Sequence, residues 1–254
     1  MKIGLMIGAD NPESGLNDVI DLAKKAEELG LDSVWLANIF SYDAISTMAL
    51  IGRETSSIHL GTAVTPTYPR HPVAMAQQAL TTAAASNNRF TLGIGLSHKL
   101  VIEDMFGLSY SKPIRHMKEY LGVLMPLLRG ESANFEGEEY RVQGVQFTVP
   151  EATDVPVVIA ALGPQMLKLA ADMVDGTNTW MVGPNTMEQH ILKAFEDAGK
   201  SHPMVVAGLP IVMTNKIDEA KESIADNLTV YGQLPSYRAM LDREGVEGPA
   251  DFAL

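Results

Sequence analysis

Two of the six histidines in this chain stand where a proton could be moved. His71 closes the stretch "GTAVTPTYPRHP" (61–72), in which a strand-like apolar run breaks into Pro66, Pro69 and Pro72. Proline fixes φ and offers no N–H, so the run becomes a stiff loop of set shape, the kind of segment that often carries a site. His71 precedes Pro72 at a helix start, a place for a cap as much as for an acid or base. Arg70 beside it suits solvent or an anion equally. His98 follows Ser97 at the end of "FTLGIGLSH" (90–98), and this pair forms the catalytic candidates. An imidazole titrates near neutrality and can give or take a proton there. His59, His116, His190 and His202 fall at a strand start, on helical runs or before a proline, where structural or solvated roles are expected.

A second constellation is built from backbone. "ALGPQML" (161–167) and "MVGPNTM" (181–187) both read strand, Gly, Pro, helix. Proline favours the first helical position, and the N–H groups behind it are free at the positive end of the helix dipole. Two such starts on neighbouring strands could hold a phosphate. Gly-Pro is also ordinary turn chemistry, and the spacing alone leaves both readings open. Other chemistries lack their signatures. H-E-x-x-H and G-x-S-x-G are absent, and the chain has no cysteine for thiolate or Cys-based metal chemistry. No pair of carboxylates stands at the strand ends as a glycosidase would require.

The elements that must position these groups alternate along the chain. Strands are expected at 2–8, 33–38, 58–64, 90–96, 155–162, 177–182 and 204–213. Helices are expected at 19–29, 43–55, 72–87, 113–129, 165–174, 186–198, 217–228 and 234–244. Residues 97–112 read as irregular and 133–150 as a small hairpin. The strands are apolar without polar alternation, which suits a parallel sheet covered on both faces. A dinucleotide-binding sheet would carry G-x-G-x-x-G after its first strand, whereas this one ends "GLMIGADNPESG". The pattern therefore favours a (β/α)8 TIM barrel spanning 1–254 as a single domain, with a substrate-side insertion at 97–150. Its last βα unit is missing from the expected elements. Barrel sites lie at the C-terminal strand ends. Here those ends are Gly8–Asp10, Asn38–Tyr42, Val64–His71, Gly95–Lys99, Ala160–Gly163, Met181–Gly183 and Leu209–Met213. They are small and poor in acids, as for a flat cofactor that brings its own chemistry.

The chain has 254 residues, a net charge of −12 and 46% hydrophobic residues. That supports one large core and disfavours nucleic acid as a partner, since no basic face is available. No apolar run is long enough for a membrane span. The lack of cysteine and of a signal-like start fits a cytoplasmic protein.

"GTAVTPTYPRHPVAMAQQALTTAAASNNRFTLGIG" (61–95) resembles the luciferase-like monooxygenase family, through R-H-P, the Ala-rich helix and L-G-x-G. "GLDSVWLAN" (30–38), "MFGLS" (105–109) and "TWMVG" (179–183) extend the resemblance over nearly the whole chain. The branch it looks most like is the coenzyme F420-dependent oxidoreductases. The resemblance implies an insertion after strand 4 and a deazaflavin ring across the barrel mouth. It also implies a non-proline cis peptide near Val64 and Thr65, bulging behind that ring. Cofactor contacts carried over are Asn38, Val64, Thr65, Gly95, Leu96 and Ser97 for the ring. Ala161, Leu162, Gly163, Met181 and Gly183 are carried over for the tail and phosphate.

Family dehydrogenases carry Asp-His at the end of strand two, where this chain has Asn38-Ile39. Alcohol oxidation needs a base there, so the resemblance points to a reductase passing hydride to an activated C=C, C=N or C=O bond. The Gly before Arg89 is replaced by Asn88, which tolerates a left-handed turn. The acidic net charge calls for local cations near an anionic tail, from Arg70, Lys99, Lys112 or Arg115. The alternatives are an FMN-dependent monooxygenase and a non-catalytic flavin-binding protein on a shortened barrel. Members of the family often form homodimers.

Overall fold

The computed structural model describes residues 1–7, 14–248 and 251. The expected strand end at Gly8–Asp10 lies outside the described residues. The chain divides into two compact units, Met1–Ala160 and Ala161–Leu254.

In the first unit, five strands run parallel: β1 (Gly4–Ile7), β2 (Ser33–Leu36), β3 (His59–Thr62), β5 (Phe90–Gly95) and β8 (Val157–Ala160). A two-residue β4 (Thr65–Pro66) pairs with the end of β5. Every residue of β5 is buried, as expected of a strand covered on both faces. Helices α1 (Leu16–Glu28), α2 (Ala44–Glu54), α3 (Pro72–Ala85) and α4 (Pro113–Leu128) alternate with the strands. Val19, Ala23 and Ala26 bury one face of α1, and Met75, Ala76, Ala79, Leu80 and Ala83 one face of α3. Caps set where the helices begin. Asp43 accepts from the Ser46 N–H at 2.9 Å at the start of α2, and His71 accepts from the Val73 N–H at 3.3 Å at the start of α3. Asn87 and Asn88 both take positive φ ahead of β5, as the Asn-for-Gly replacement requires. Arg89 then donates to the carbonyls of Gly52 (3.0 Å), Thr55 (2.8 Å) and Ile58 (2.5 Å), tying the N-terminal end of β5 to the α2–β3 turn.

The sheet changes course at the opening loop. β3 pairs with β5 only through Leu60↔Phe90 and Gly61↔Thr91. The Ala63–Val64 peptide is cis, and β4 rejoins β5 at Thr65↔Ile94. In the gap the Thr62 hydroxyl replaces the ladder, donating to the Gly93 carbonyl at 2.7 Å and accepting from the Gly93 N–H at 2.9 Å. Only glycine fits opposite, because a Cβ at Gly93 would lie 1.9 Å from the Thr62 carbonyl oxygen.

The insertion is more ordered than its composition suggests. Where irregular chain is expected, Leu100–Met105 forms a π-helical turn. β6 (Ala133–Glu136) and β7 (Arg141–Val145) make the expected hairpin, which ends five residues early.

The second unit holds α5 (Pro164–Met173), β9 (Gly176–Trp180), α6 (Pro184–Thr186), a π-helical stretch Met187–Leu192, α7 (Lys193–Asp197), β10 (Met204–Gly208), α8 (Ile217–Gln233) and α9 (Pro235–Glu244). β9 and β10 pair in parallel, from Gly176↔Met204 to Trp180↔Gly208. The strand expected over 204–213 stops at Gly208. Leu209, Ile211, Val212 and Met213 are exposed, so the apolar run outlasts the pairing. α8 continues past residue 228 to Gln233. Among the described residues the first unit holds five of the seven expected longer strands and the second unit the other two. Among the described residues no helix is long and apolar enough to cross a membrane.

Candidate functional site

In the first unit the folding of 61–72 brings four expected site positions together. The Asn38 N–H donates to the Val64 carbonyl at 3.4 Å, so the ends of β2 and β3 meet beside the cis bond. Asn38 Oδ1 accepts from the Ala44 N–H at 3.0 Å, which fixes the side chain at the start of α2. Gly95 leaves room for Val64: a Cβ there would stand 2.6 Å from Val64 Cγ2 and 3.2 Å from Ala160 Cβ. Thr65 is fully buried and its hydroxyl has no hydrogen-bond partner. A buried unpaired hydroxyl costs about 1–3 kcal/mol, and a polar ligand atom would recover it.

Ser97 and His98 follow at the end of β5. Ser97 has φ +60, an uncommon conformation for a non-glycine residue. Its carbonyl accepts from the Tyr110 hydroxyl at 3.4 Å. His98 is half-buried, and burial lowers its pKa, so the ring is neutral at pH 7.

The second unit places the other five residues. Ala161 is buried, and the Leu162 carbonyl lies 2.8 Å from His190 Nε2, which anchors the approach to α5. Gly163 and Gly183 are N-caps without a side-chain cap, each followed by proline at the first helical position, as the paired motif requires. A Cβ on Gly163 would meet nothing within 4 Å, so the start of α5 is open. Met181 repeats the Ser97 signal with φ +52, and its N–H donates to the Gly208 carbonyl at 2.9 Å. The hydroxyls of Thr179 and Thr186 are buried without partners.

The cations expected to offset an anionic tail are already committed. Arg70 pairs with Asp43, and Lys99 lies 3.5 Å from Glu103. Lys112 lies 3.9 Å from Glu138, and Arg115 pairs with Glu138 and Glu139. In an acidic chain each of these four cations already lies beside a carboxylate, Lys112 and Arg115 sharing Glu138. At the start of α6 the Thr186 N–H already donates to Glu244 Oε1 at 2.6 Å, so the start of α5 is what remains for a phosphate.

What the residue types did not announce is an aromatic cluster on the opening loop. Tyr68 stacks on His116 with centroids 3.8 Å apart and planes at 14°, and Tyr110 lies 5.3 Å from Tyr68 with planes at 31°. Tyr120 and Tyr140 sit 5.9 and 5.6 Å from His116. His116 Nε2 and Thr67 Oγ1 are 2.9 Å apart, and the Tyr120 hydroxyl donates to the Arg70 carbonyl at 3.0 Å. The stiff loop is therefore held along its length by α4. Burial pushes the His116 pKa down to about 4, against a small opposing pull from Glu119.

The unfolded chain takes up this proton near pH 6.5 while the folded chain refuses it until about pH 4. The contribution to stability is complete above about pH 6.5 and shrinks as pH falls, by about 2 kcal/mol at pH 5. Urea midpoints at pH 7 and pH 5 should therefore diverge less for His116→Gln than for the native chain. Equal divergence would show that His116 does not sense this range.

Parallel strands alternating with helices define an α/β protein of the TIM-barrel class. The chain belongs to the luciferase-like monooxygenase family, whose model matches residues 1–253. It is 28% identical over 244 residues to the 5,10-methylenetetrahydromethanopterin reductase of Methanolobus tindarius, covering 94% of this chain and 74% of that one. It is 28% identical over 189 residues to the F420-dependent glucose-6-phosphate dehydrogenase of Amycolatopsis mediterranei, covering 69% of this chain and 56% of that one. Its fold is that of the coenzyme F420-dependent tetrahydromethanopterin reductase of Methanopyrus kandleri, with a TM-score of 0.80 at 22% identity. That match covers 97% of this chain and 76% of the other.

Proposed function

We propose that this chain is a coenzyme F420-dependent oxidoreductase, acting as a reductase on an activated C=C, C=N or C=O bond of a small molecule. One observation carries the reading: the fully buried Thr65, whose hydroxyl has no hydrogen-bond partner, in the loop that follows β3. The relatives above that are named for their cofactor take F420 in two different reactions, so the cofactor is the better supported half of the proposal.

The residues present fit a flat ring. For the ring we assign Asn38, Val64, Thr65, Gly95, Leu96 and Ser97: Gly95 leaves room for Val64, and the Thr65 hydroxyl has no partner. For the tail and phosphate we assign Ala161, Leu162, Gly163, Met181 and Gly183, where the open start of α5 offers backbone donors. The reduced deazaflavin supplies the hydride when bound. Hydride addition leaves an anion on substrate that must gain a proton, and we assign that step to His98, with Ser97 orienting it. Because burial keeps the ring neutral, it acts as a relay, giving up the proton of one nitrogen while the other nitrogen takes one from water.

Titration of the protein with F420 and, separately, FMN tests the reading, followed by cofactor fluorescence. F420 should bind at least tenfold more tightly. Thr65→Val keeps the shape and removes only the hydroxyl; it should weaken F420 about tenfold with no loss of thermal stability. Tight FMN binding with weak F420 binding would point instead to the monooxygenase, and binding of neither would overturn both enzymatic readings.

A further inference from the structure

A cleft of about 200 Å³ opens beside the aromatic cluster, lined by Tyr68, Leu108, Ser109, His116, Glu139 and Tyr140. We propose that it is a binding subsite for one planar, uncharged ring carrying a hydrogen-bond acceptor, and that the Tyr68 hydroxyl is the donor that reads that acceptor.

Four features of the cleft select this ligand. Its walls include aromatic rings already packed in place: Tyr68 is stacked on His116, and Tyr140 stands edge-on to His71 and Tyr120 at 5.7 and 5.6 Å. Rings already packed in place bind a flat ring, edge or face, with little further loss of side-chain freedom. The Tyr68 hydroxyl is buried and has no hydrogen-bond partner. Burial first, then nearby Tyr110 and Glu139, push its pKa upward, so it stays protonated and can donate. Its missing partner is therefore an acceptor. The carboxylate in the wall is not free to attract a cation, because Glu139 lies 3.3 Å from Arg115 Nε. The volume also admits a single ring or small bicycle rather than a whole drug-sized molecule, which needs about 300 Å³ or more.

The cleft is joined to the proposed ring site through its own walls. Tyr68 lies three residues after Thr65 on the same loop. Leu108 and Ser109 lead into Tyr110, whose hydroxyl donates to the Ser97 carbonyl. As part of the reaction the cleft would hold the non-reacting ring of the substrate, a role that rests on the proposed function. Ring binding itself does not.

The probe is 2-pyridone, a neutral planar ring with a carbonyl acceptor, followed by ligand-observed NMR with toluene as the ring without an acceptor. The native chain should bind 2-pyridone in the millimolar range. Tyr68→Phe keeps the stack and removes the donor. It should weaken 2-pyridone about fivefold to tenfold, leave toluene unchanged, and melt no lower than the native chain. Leu108→Trp, a change at an exposed position of the rim, should fill the cleft and block 2-pyridone without touching the stack. Failure of the native chain to bind 2-pyridone, or equal binding by both variants, would overturn the subsite. F420 titration of the same proteins separates the two readings. F420 binding without 2-pyridone binding sinks the subsite alone, and the reverse sinks the cofactor reading alone.

Discussion

Gly93→Ala is expected to prevent the first unit from folding, or to destabilise it by more than about 4 kcal/mol. The added Cβ would stand 1.9 Å from the Thr62 carbonyl oxygen and 3.0 Å from its carbon. Both are backbone atoms, so no rotamer change relieves the clash. β5 is buried throughout and pairs with β8 on its other side, through Gly93↔Val158, so it cannot slide away. Separating β3 from β5 instead would break both bonds of the Thr62 hydroxyl at the point where the ladder is already interrupted. The same movement would displace Val64 and Thr65, so any folded residue of the variant should also lose F420. Gly163→Ala is the contrast, since its added methyl meets nothing within 4 Å. Thermal melts followed by circular dichroism compare the two. A Gly93→Ala protein that melts within about 1 kcal/mol of the native chain would show that β3 can yield, and that the close approach is not required.

This contrast also shows what could be read from residues alone. The alternation of apolar runs and helical spacing located the strands and helices because burial on both faces of a parallel sheet imposes continuous apolar runs. The three prolines of 66–72 marked the stiff loop, since their backbone limits are local. The cis peptide came through family resemblance and lies at Ala63–Val64, one bond ahead of Thr65. The Tyr68–His116 stack was not legible. Its partners come from separate elements with no shared period, so only the folded chain brings them together. Arg70 looked available to an anion because its partner Asp43 caps a different helix. Lys99 and Glu103 were legible in principle, being four residues apart, where helical spacing pairs them. Beyond Gly208 the apolar run 209–213 was indistinguishable from a strand, because composition reports the tendency to be buried and not whether a neighbour is there to pair.

Glu119→Ala should lower stability by about 2–4 kcal/mol and weaken 2-pyridone binding with it. Glu119 is a nearly buried acid on α4. Its carboxylate accepts from the N–H groups of Glu139 (2.7 Å), Tyr140 (3.1 Å) and Glu138 (3.2 Å), which form the turn between β6 and β7. Burial alone would raise its pKa; those three donors and Arg115 outweigh it and hold the carboxyl below its ordinary 4.5. The stabilisation is therefore present above about pH 4.5 and is lost as pH falls through the lowered value. Removing the carboxylate strands three backbone donors at the turn that carries Glu139 and Tyr140, two walls of the cleft. Glu119→Gln retains one acceptor oxygen and should lose less, with a flatter decline below pH 4.5. Urea unfolding of both variants at pH 7 and pH 4, beside 2-pyridone titration, reads all three effects. If Glu119→Ala unfolds at the native midpoint, water rather than Glu119 satisfies the turn, and the cleft wall is held by its ring contacts alone.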